Sequence, residues 1–319
     1  MKSVLTSQIL ILLIPAIAGF LASWQKVLTA ENNSILARII VKITLPILLF
    51  ISIATRNINT QILHEGFYVF LGGILASALL FFTAKFWLSL FPTNKNKSAI
   101  FKTHSIFGNI VFIGFPLLDS IYPGGQGLFF AACFQIASES LLWSFGIQIL
   151  TTDQKWNTKT FLKHLFNINT IAFIAGLLFL LLKIPIPEII TKGMLGTGHA
   201  TIYLAMVYIG ALFYFINIKS LLHDYHAYLL SINKLLIVPI LITVLIFTLK
   251  NMKWINISIE ASTVIILQCA MPAMTVIVML AREYGSDYES ASRNVIISTF
   301  LSLISLPLIY AFCNFIFKP

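Results

Sequence analysis

No polar stretch in this chain is long enough to build a soluble domain, and that limits the fold more than any motif does. Apolar runs follow one another from end to end, each near the ~20 residues that a helix needs to cross a bilayer. Charged residues make up 10% of the 319 positions, against about 25% in soluble domains. Bilayer hydrocarbon offers no partner to a backbone N–H or C=O, so a chain of this kind is expected to be an all-α membrane protein.

Dividing the apolar runs at polar or Gly/Pro-rich turns gives ten expected spans, near 4–24, 34–55, 66–91, 99–121, 126–150, 168–184, 198–217, 228–249, 259–281 and 292–315. The first run continues to about Trp24 and is read as a retained helix rather than a signal peptide. The net charge of +10 does not point to nucleic acid, because the lysines sit in short loops between spans. A bias toward the cytoplasmic face explains them, with the lipid bilayer as the partner. With the N-terminus outside, eleven loop Lys and Arg, among them Lys95, Lys97, Lys102 and Arg293, face the cytoplasm and seven face out. Both termini are therefore expected outside, in a bacterial inner (cell) membrane.

The loop "TTDQKWNTKTFLKHLFNIN" divides the chain into a first five-span block, 1–151, a short cytoplasmic loop, 152–167, and a second block, 168–319. An odd number of spans per block turns the second block over relative to the first, which is the plan of two inverted five-helix repeats. Matched interruptions support it. Span four reads "SIFGNIVFIGFPLLDS", with Gly108, Asn109, Gly114 and Pro116 in its middle, and span nine reads "LQCAMPAMTVIVML", with Pro272 at its centre. Each is the fourth span of its block.

A proline inside a helix removes one hydrogen bond and displaces the carbonyl four residues back. In a membrane such broken backbone survives where it is buried in protein or lines a cavity. Two facing breaks would aim N–H groups and partial positive charge at one spot, which suits a carboxylate. The candidate substrate-binding residues are Asn109, Gly114, Pro116 and Pro272, with Gln268 four residues before that proline and Thr275 after it. Asn109 either donates to the substrate or satisfies the freed carbonyls. Pro15, Pro46, Pro239 and Pro307 are read as tolerated kinks.

Arg38, Lys42, Lys85 and Lys234 lie near expected cytoplasmic span ends, where their heads can snorkel to water. Glu139 lies mid-span, where a carboxylate is protonated, paired with a lysine, or part of a proton or cation site. With Gln135 and Ser138 nearby it forms the candidate coupling group, for H⁺ or Na⁺. Cys133, Cys269 and Cys313 fall within spans without paired spacing, and the six histidines are scattered, so no metal or other cofactor is expected. No nucleophile elbow, zinc motif, P-loop or dinucleotide fingerprint is present. An enzyme or sensor is therefore disfavoured, and dispersed polar groups on many spans suit passage of a solute.

The blocks "FGNIVFIGFPLLDSIYPGGQGLFFAACFQIASESLLWSFGIQIL" and "LQCAMPAMTVIVMLAREYGSDYESASRNVIISTFLSLISLPL" resemble spans four and five, and nine and ten, of the auxin efflux carrier family. "ITLPILLFISIA" is similar to its second span. The resemblance implies ten transmembrane helices in two inverted repeats. Spans one, two, six and seven would form a scaffold. Spans three to five and eight to ten would form a mobile transport (core) domain, with the broken spans four and nine crossing at their unwound prolines. It also implies an organic-anion cargo: auxin in plants, and malate, malonate or similar acids in bacteria. Asn109, Gly114 and Pro116 match the first crossover, and Pro272 the second. Only about 17 residues separate spans five and six, so the resemblance is to a bacterial-type permease rather than a plant carrier with a long regulatory loop. Glu139 stands where many relatives have a neutral polar residue. The bile acid/sodium symporters of the same bile acid, arsenite and riboflavin transporter superfamily share the architecture, but their sodium-site motifs have no convincing match here. The scaffold half offers a face for a homodimer. The expected function is a secondary transporter moving a small organic anion by alternating access; a sodium- or proton-coupled symporter and a passive anion channel are the alternatives.

Overall fold

The structure is a computed structural model and describes residues 2–55, 60–122, 125–150, 166–215 and 224–317. Residues 152–165 of the expected cytoplasmic loop lie outside them. The described residues are helical, without strands; one isolated antiparallel bridge pairs Gly108 with Ala273. In chain order the helices are α1 (Lys2–Trp24), α2 (Ala30–Ile39), α3 (Leu45–Ala54), α4 (Thr60–Leu90) and α5 (Lys95–Ile106). Then come α6 (Phe115–Ile121), α7 (Gln126–Leu141), α8 (Ile147–Leu150), α9 (Ile168–Leu181) and α10 (Glu188–Tyr214). The last are α11 (Tyr225–Ile232), α12 (Val238–Asn251), α13 (Ile259–Cys269), α14 (Val276–Glu283) and α15 (Tyr288–Phe317).

Among the described residues, six helical stretches are long and apolar enough to cross a membrane: Asn32–Ala54, Thr60–Leu90, Gln126–Leu150, Glu188–Tyr214, Tyr225–Asn251 and Tyr288–Phe317. Shorter apolar helices cover Leu13–Trp24, Ile110–Ile121, Ile168–Leu181 and Ile259–Cys269.

Three prolines read as kinks or breaks have a common local solution. Pro46, Pro116 and Pro239 each come after a five-residue π-helical turn, respectively Ile40–Thr44, Ile110–Gly114 and Asn233–Ile237, and sit in the first turn of the next helix. The π turn runs on into the next helix without a break, and its wider turn takes up the clash of the proline ring with the preceding carbonyl. The extra residue in each turn also rotates the next helix about its axis.

The chain forms two compact units. One comprises Met1–His64, Val111–Ala132 and Phe166–Ile216. Here α1 and α10 approach so closely that a Cβ on Gly19 or Gly210 would overlap the carbonyl oxygen of Val207 or Ala16. Small residues at such contacts let helices pack tightly where no hydrophobic drive separates helix from lipid. Gly176 and Gly198 seat α9 and α10 against Phe50 and Leu48 of α3 in the same way. Ile40, Phe112, Ile202, Met206 and Tyr208 form its core, with the Phe112 and Tyr208 rings stacked 4.8 Å apart.

The second unit comprises Glu65–Ile110, Cys133–Leu165 and Asn217–Pro319. One core cluster joins Ile106 and Phe107 to Leu142, Ile277 and Leu280; another joins Ala84, Phe101, Leu230 and Ala273. Both clusters flank the residues at which α5 and α13 stop.

Candidate functional site

Within the second unit, α5 ends at Ile106 and α13 at Cys269, and the irregular segments beyond these two ends pair with each other. Asn109 N–H donates to the Pro272 carbonyl at 2.7 Å, and Met274 N–H donates to the Phe107 carbonyl at 3.2 Å. The bridge between Gly108 and Ala273 lies between these bonds. Gly108 suits this approach: a Cβ there would lie 3.0 Å from the Met271 Cβ and 3.1 Å from the Met271 carbonyl oxygen, a tight fit. Each broken segment thus supplies backbone partners for the other, as broken backbone away from water demands.

Side chains complete the accounting. The Asn109 amide donates to the Thr275 hydroxyl at 3.1 Å. Ser298 Oγ accepts from Ala273 N–H at 2.9 Å and donates to the Asn294 carbonyl at 2.6 Å. His104, wholly buried, faces the Met274 carbonyl through Nε2 at 3.2 Å and the Asn294 amide through Nδ1 at 3.4 Å. A carbonyl only accepts, which assigns the proton to Nε2 and leaves Nδ1 to accept from the Asn294 Nδ2 amine. The Lys234 ammonium donates to the carbonyls of Ser105 at 2.8 Å and Ile106 at 3.2 Å, at the end of α5. Gln268, in the last turn of α13, is 1% exposed, and neither its amide nitrogen nor its oxygen has a partner among the described residues.

The structure therefore brings together Asn109, Pro272 and Thr275, with Gln268 one turn before the second break. Gly114 and Pro116 do not mark the first break. The interruption is at Phe107–Asn109, seven residues before Pro116; Gly114 closes the π turn and Pro116 lies buried in the first turn of α6. That turn and helix tolerate the proline, so the expectation of an unwound point at Pro116 is corrected. Lys234 corrects another. Arg38, Lys42 and Lys85 are exposed, whereas Lys234 is 1% exposed with its head on backbone carbonyls. Lys234 lies in the π turn Asn233–Ile237, where it and its sequence neighbour Asn233 are both buried. Asn233 fixes that turn by accepting from Trp87 Nε1 at 3.2 Å and donating to the Thr83 hydroxyl at 3.0 Å.

Among the coupling candidates, Gln135 Nε2 donates to Glu139 at 2.7 Å, and Ser138, buried on α7, lies about one turn after Gln135 and directly before Glu139. Glu139 is half-buried. Sequence reasoning misses His104, Asn294, Ser298 and the inward-facing role of Lys234. The one signal for them is Pro239, five residues after Lys234, at the spacing that marks a π turn here.

A family profile described as "Membrane transport protein" matches residues 4–159 and 153–310. An uncharacterized transporter of Methanothermobacter thermautotrophicus is 24% identical over 311 residues, covering 95% of this chain and 96% of the relative. An uncharacterized transporter of Methanocaldococcus jannaschii is 24% identical over 310 residues, covering 94% and 96%. Helices long and apolar enough to span a membrane, two interrupted segments that pair with each other, and a profile matched along nearly the whole chain agree: the chain belongs to the membrane transport protein family of the auxin efflux carriers, as an integral membrane transporter.

Proposed function

We propose that this transporter moves a small organic anion, a mono- or dicarboxylate, by alternating access, binding it where the two interrupted segments pair. The observation that carries the reading is the backbone pairing of residues 107–109 with 272–274 in an otherwise helical unit. Irregular backbone at membrane depth is costly and is retained where it is buried in protein or lines a cavity, and in carriers the broken helices line the solute site. Beside it lies the unpartnered amide of Gln268, a buried polar group of the kind that a ligand satisfies. Asn109 is tied to Thr275, which supports a role in holding the site's shape as well as in offering its carbonyl oxygen or amide to cargo.

In this reading ten spans form two inverted repeats, and the carrier divides into a scaffold and a transport unit. The division is supported by the two compact units: residues of spans one, two, six and seven group in one, and those of spans three, eight, nine and ten in the other. Residues 111–132, from just after the first break into the first half of α7, group with the scaffold side. A fixed binding site predicts saturable uptake, which separates a carrier from a passive channel. The test is uptake of radiolabelled acetate, lactate, malonate and malate into proteoliposomes by wild type and Asn109→Ala. Saturable uptake by wild type and a loss of about tenfold or more in the variant are expected, since a polar contact realised at the site contributes on the order of 1–3 kcal/mol. Equal uptake by both removes Asn109 from the mechanism.

A further inference from the structure

We propose that Lys234 is a built-in cation at the paired breaks. It occupies the position that a sodium ion takes in carriers that need one, and it supplies the countercharge for a bound carboxylate, so that transport needs no sodium.

In a continuous helix the Ser105 carbonyl would accept from the N–H of Asn109, but that N–H is committed to Pro272. Carbonyls freed at unwound helix C-terminal ends are the oxygens with which transporters coordinate Na⁺. Here the freed Ser105 carbonyl and its neighbour on Ile106 both accept from one ammonium group. The negative end of the helix dipole favours the same charge. An ammonium has three N–H donors, and two are accounted for by these carbonyls. No carboxylate lies within ion-pair distance of Lys234 among the described residues.

A buried charge without a countercharge is expensive, and its retention in a membrane marks a functional site. Two dipolar carbonyls stabilise the ammonium but do not neutralise it, and a third donor remains for an acceptor that brings negative charge. An organic carboxylate is such an acceptor. The lysine stem passes Gly108, where a Cβ would lie 3.5 Å from Lys234 Cε, so the charge stands beside the backbone pairing itself. The bonds from Asn233 to Trp87 and Thr83 hold the turn that carries it.

The transport consequence rests on the proposed substrate site; the cation claim is tested without any substrate. Purified protein is melted in sodium chloride and in choline chloride, and uptake of the four labelled acids is measured in both salts. Wild type is expected to have one melting midpoint and one uptake rate in the two salts; a sodium-specific rise in either overturns the proposal. Lys234→Ala strips the carbonyls of their donor, so its midpoint in choline should fall and sodium should raise it again. A Lys234→Ala that melts like wild type in choline, or that sodium does not raise, overturns the claim. Lys234→Gln keeps a donor without the charge. It is expected to melt near wild type and to lose uptake about tenfold or more, as removal of one partner of a buried charge interaction does; unimpaired uptake overturns the countercharge role. Should wild type accumulate none of the four acids in either salt, the proposed function fails, while the melting comparison still decides the cation claim.

Discussion

At the scale of single residues, Gln268 offers the sharpest test, because its burial and its bonding disagree. A fully buried amide normally finds partners, and one that does not lowers stability by about 1–3 kcal/mol. Gln268 is 1% exposed with both polar atoms unpartnered among the described residues. Gln268→Leu keeps the volume and removes an unmet demand, so the melting midpoint of the empty carrier should hold or rise while uptake falls. A fall in midpoint matching a loss of about 1 kcal/mol or more would show that the amide serves the fold instead. The residues legible in sequence are those whose chemistry is at odds with a membrane helix regardless of context: Asn109 and Pro272, with Thr275 and Gln268 by proximity. Lys234 is visible in sequence but misleading. A lysine near a span end is usually a snorkelling one, and here it lies in a π turn, which adds a residue without changing the apolar composition. His104 and Asn294 are illegible for a different reason: the bonds of His104 reach 170 and 190 residues along the chain, to Met274 and to Asn294 itself.

At the scale of elements, Asp224 fastens three helix ends in the second unit. Its carboxylate, just before α11, accepts from Lys97 of α5 at 2.8 Å and from Arg293 of α15 at 3.0 Å. Partial burial works against the charged carboxyl, but the two cations outweigh it and hold the group below its ordinary value of 3.8. A carboxyl depressed in the folded state contributes stability that is complete above its unfolded value and is lost as pH falls through the lower, folded one. Asp224→Asn should therefore lower stability by about 1–2 kcal/mol near neutral pH, solvent screening of the two partly exposed cations being allowed for. Melting midpoints across pH check the sign. The gap between wild type and variant should stay constant down to the ordinary carboxylate range and close below 3.8; a gap that widens in acid excludes this role. The position of the breaks illustrates what periodicity alone conveys about elements. Apolar patterning locates α5 and α6 as one span, and the proline suggests where it breaks. Yet the proline follows a π turn that accommodates it, and the helix stops earlier, beside Gly108, where the Met271 carbonyl comes close.

At the scale of the whole molecule, the apolar runs are the legible part, since hydrocarbon imposes its length on every helix that crosses it. Orientation is a weaker signal, resting on a charge bias that short loops carry. It nonetheless makes a definite prediction through two loops at corresponding places in the two blocks. Lys95 is exposed at the start of α5, between expected spans three and four, and Asn251 is exposed at the end of α12, between spans eight and nine. Five expected spans separate them, so they should lie on opposite sides of the membrane, Lys95 in the cytoplasm and Asn251 outside. The three native cysteines are buried, Cys133 at 8% and Cys269 and Cys313 at 1% each, so a membrane-impermeant maleimide should label the wild type weakly in intact cells. Asn251→Cys should react in intact cells, and Lys95→Cys only after the membrane is opened. Labelling of both from the same side would require an even number of crossings between them and would remove the inverted-repeat plan. The reverse pattern would keep the plan and turn the whole carrier over, making the charge bias, and not the repeat, the part that failed.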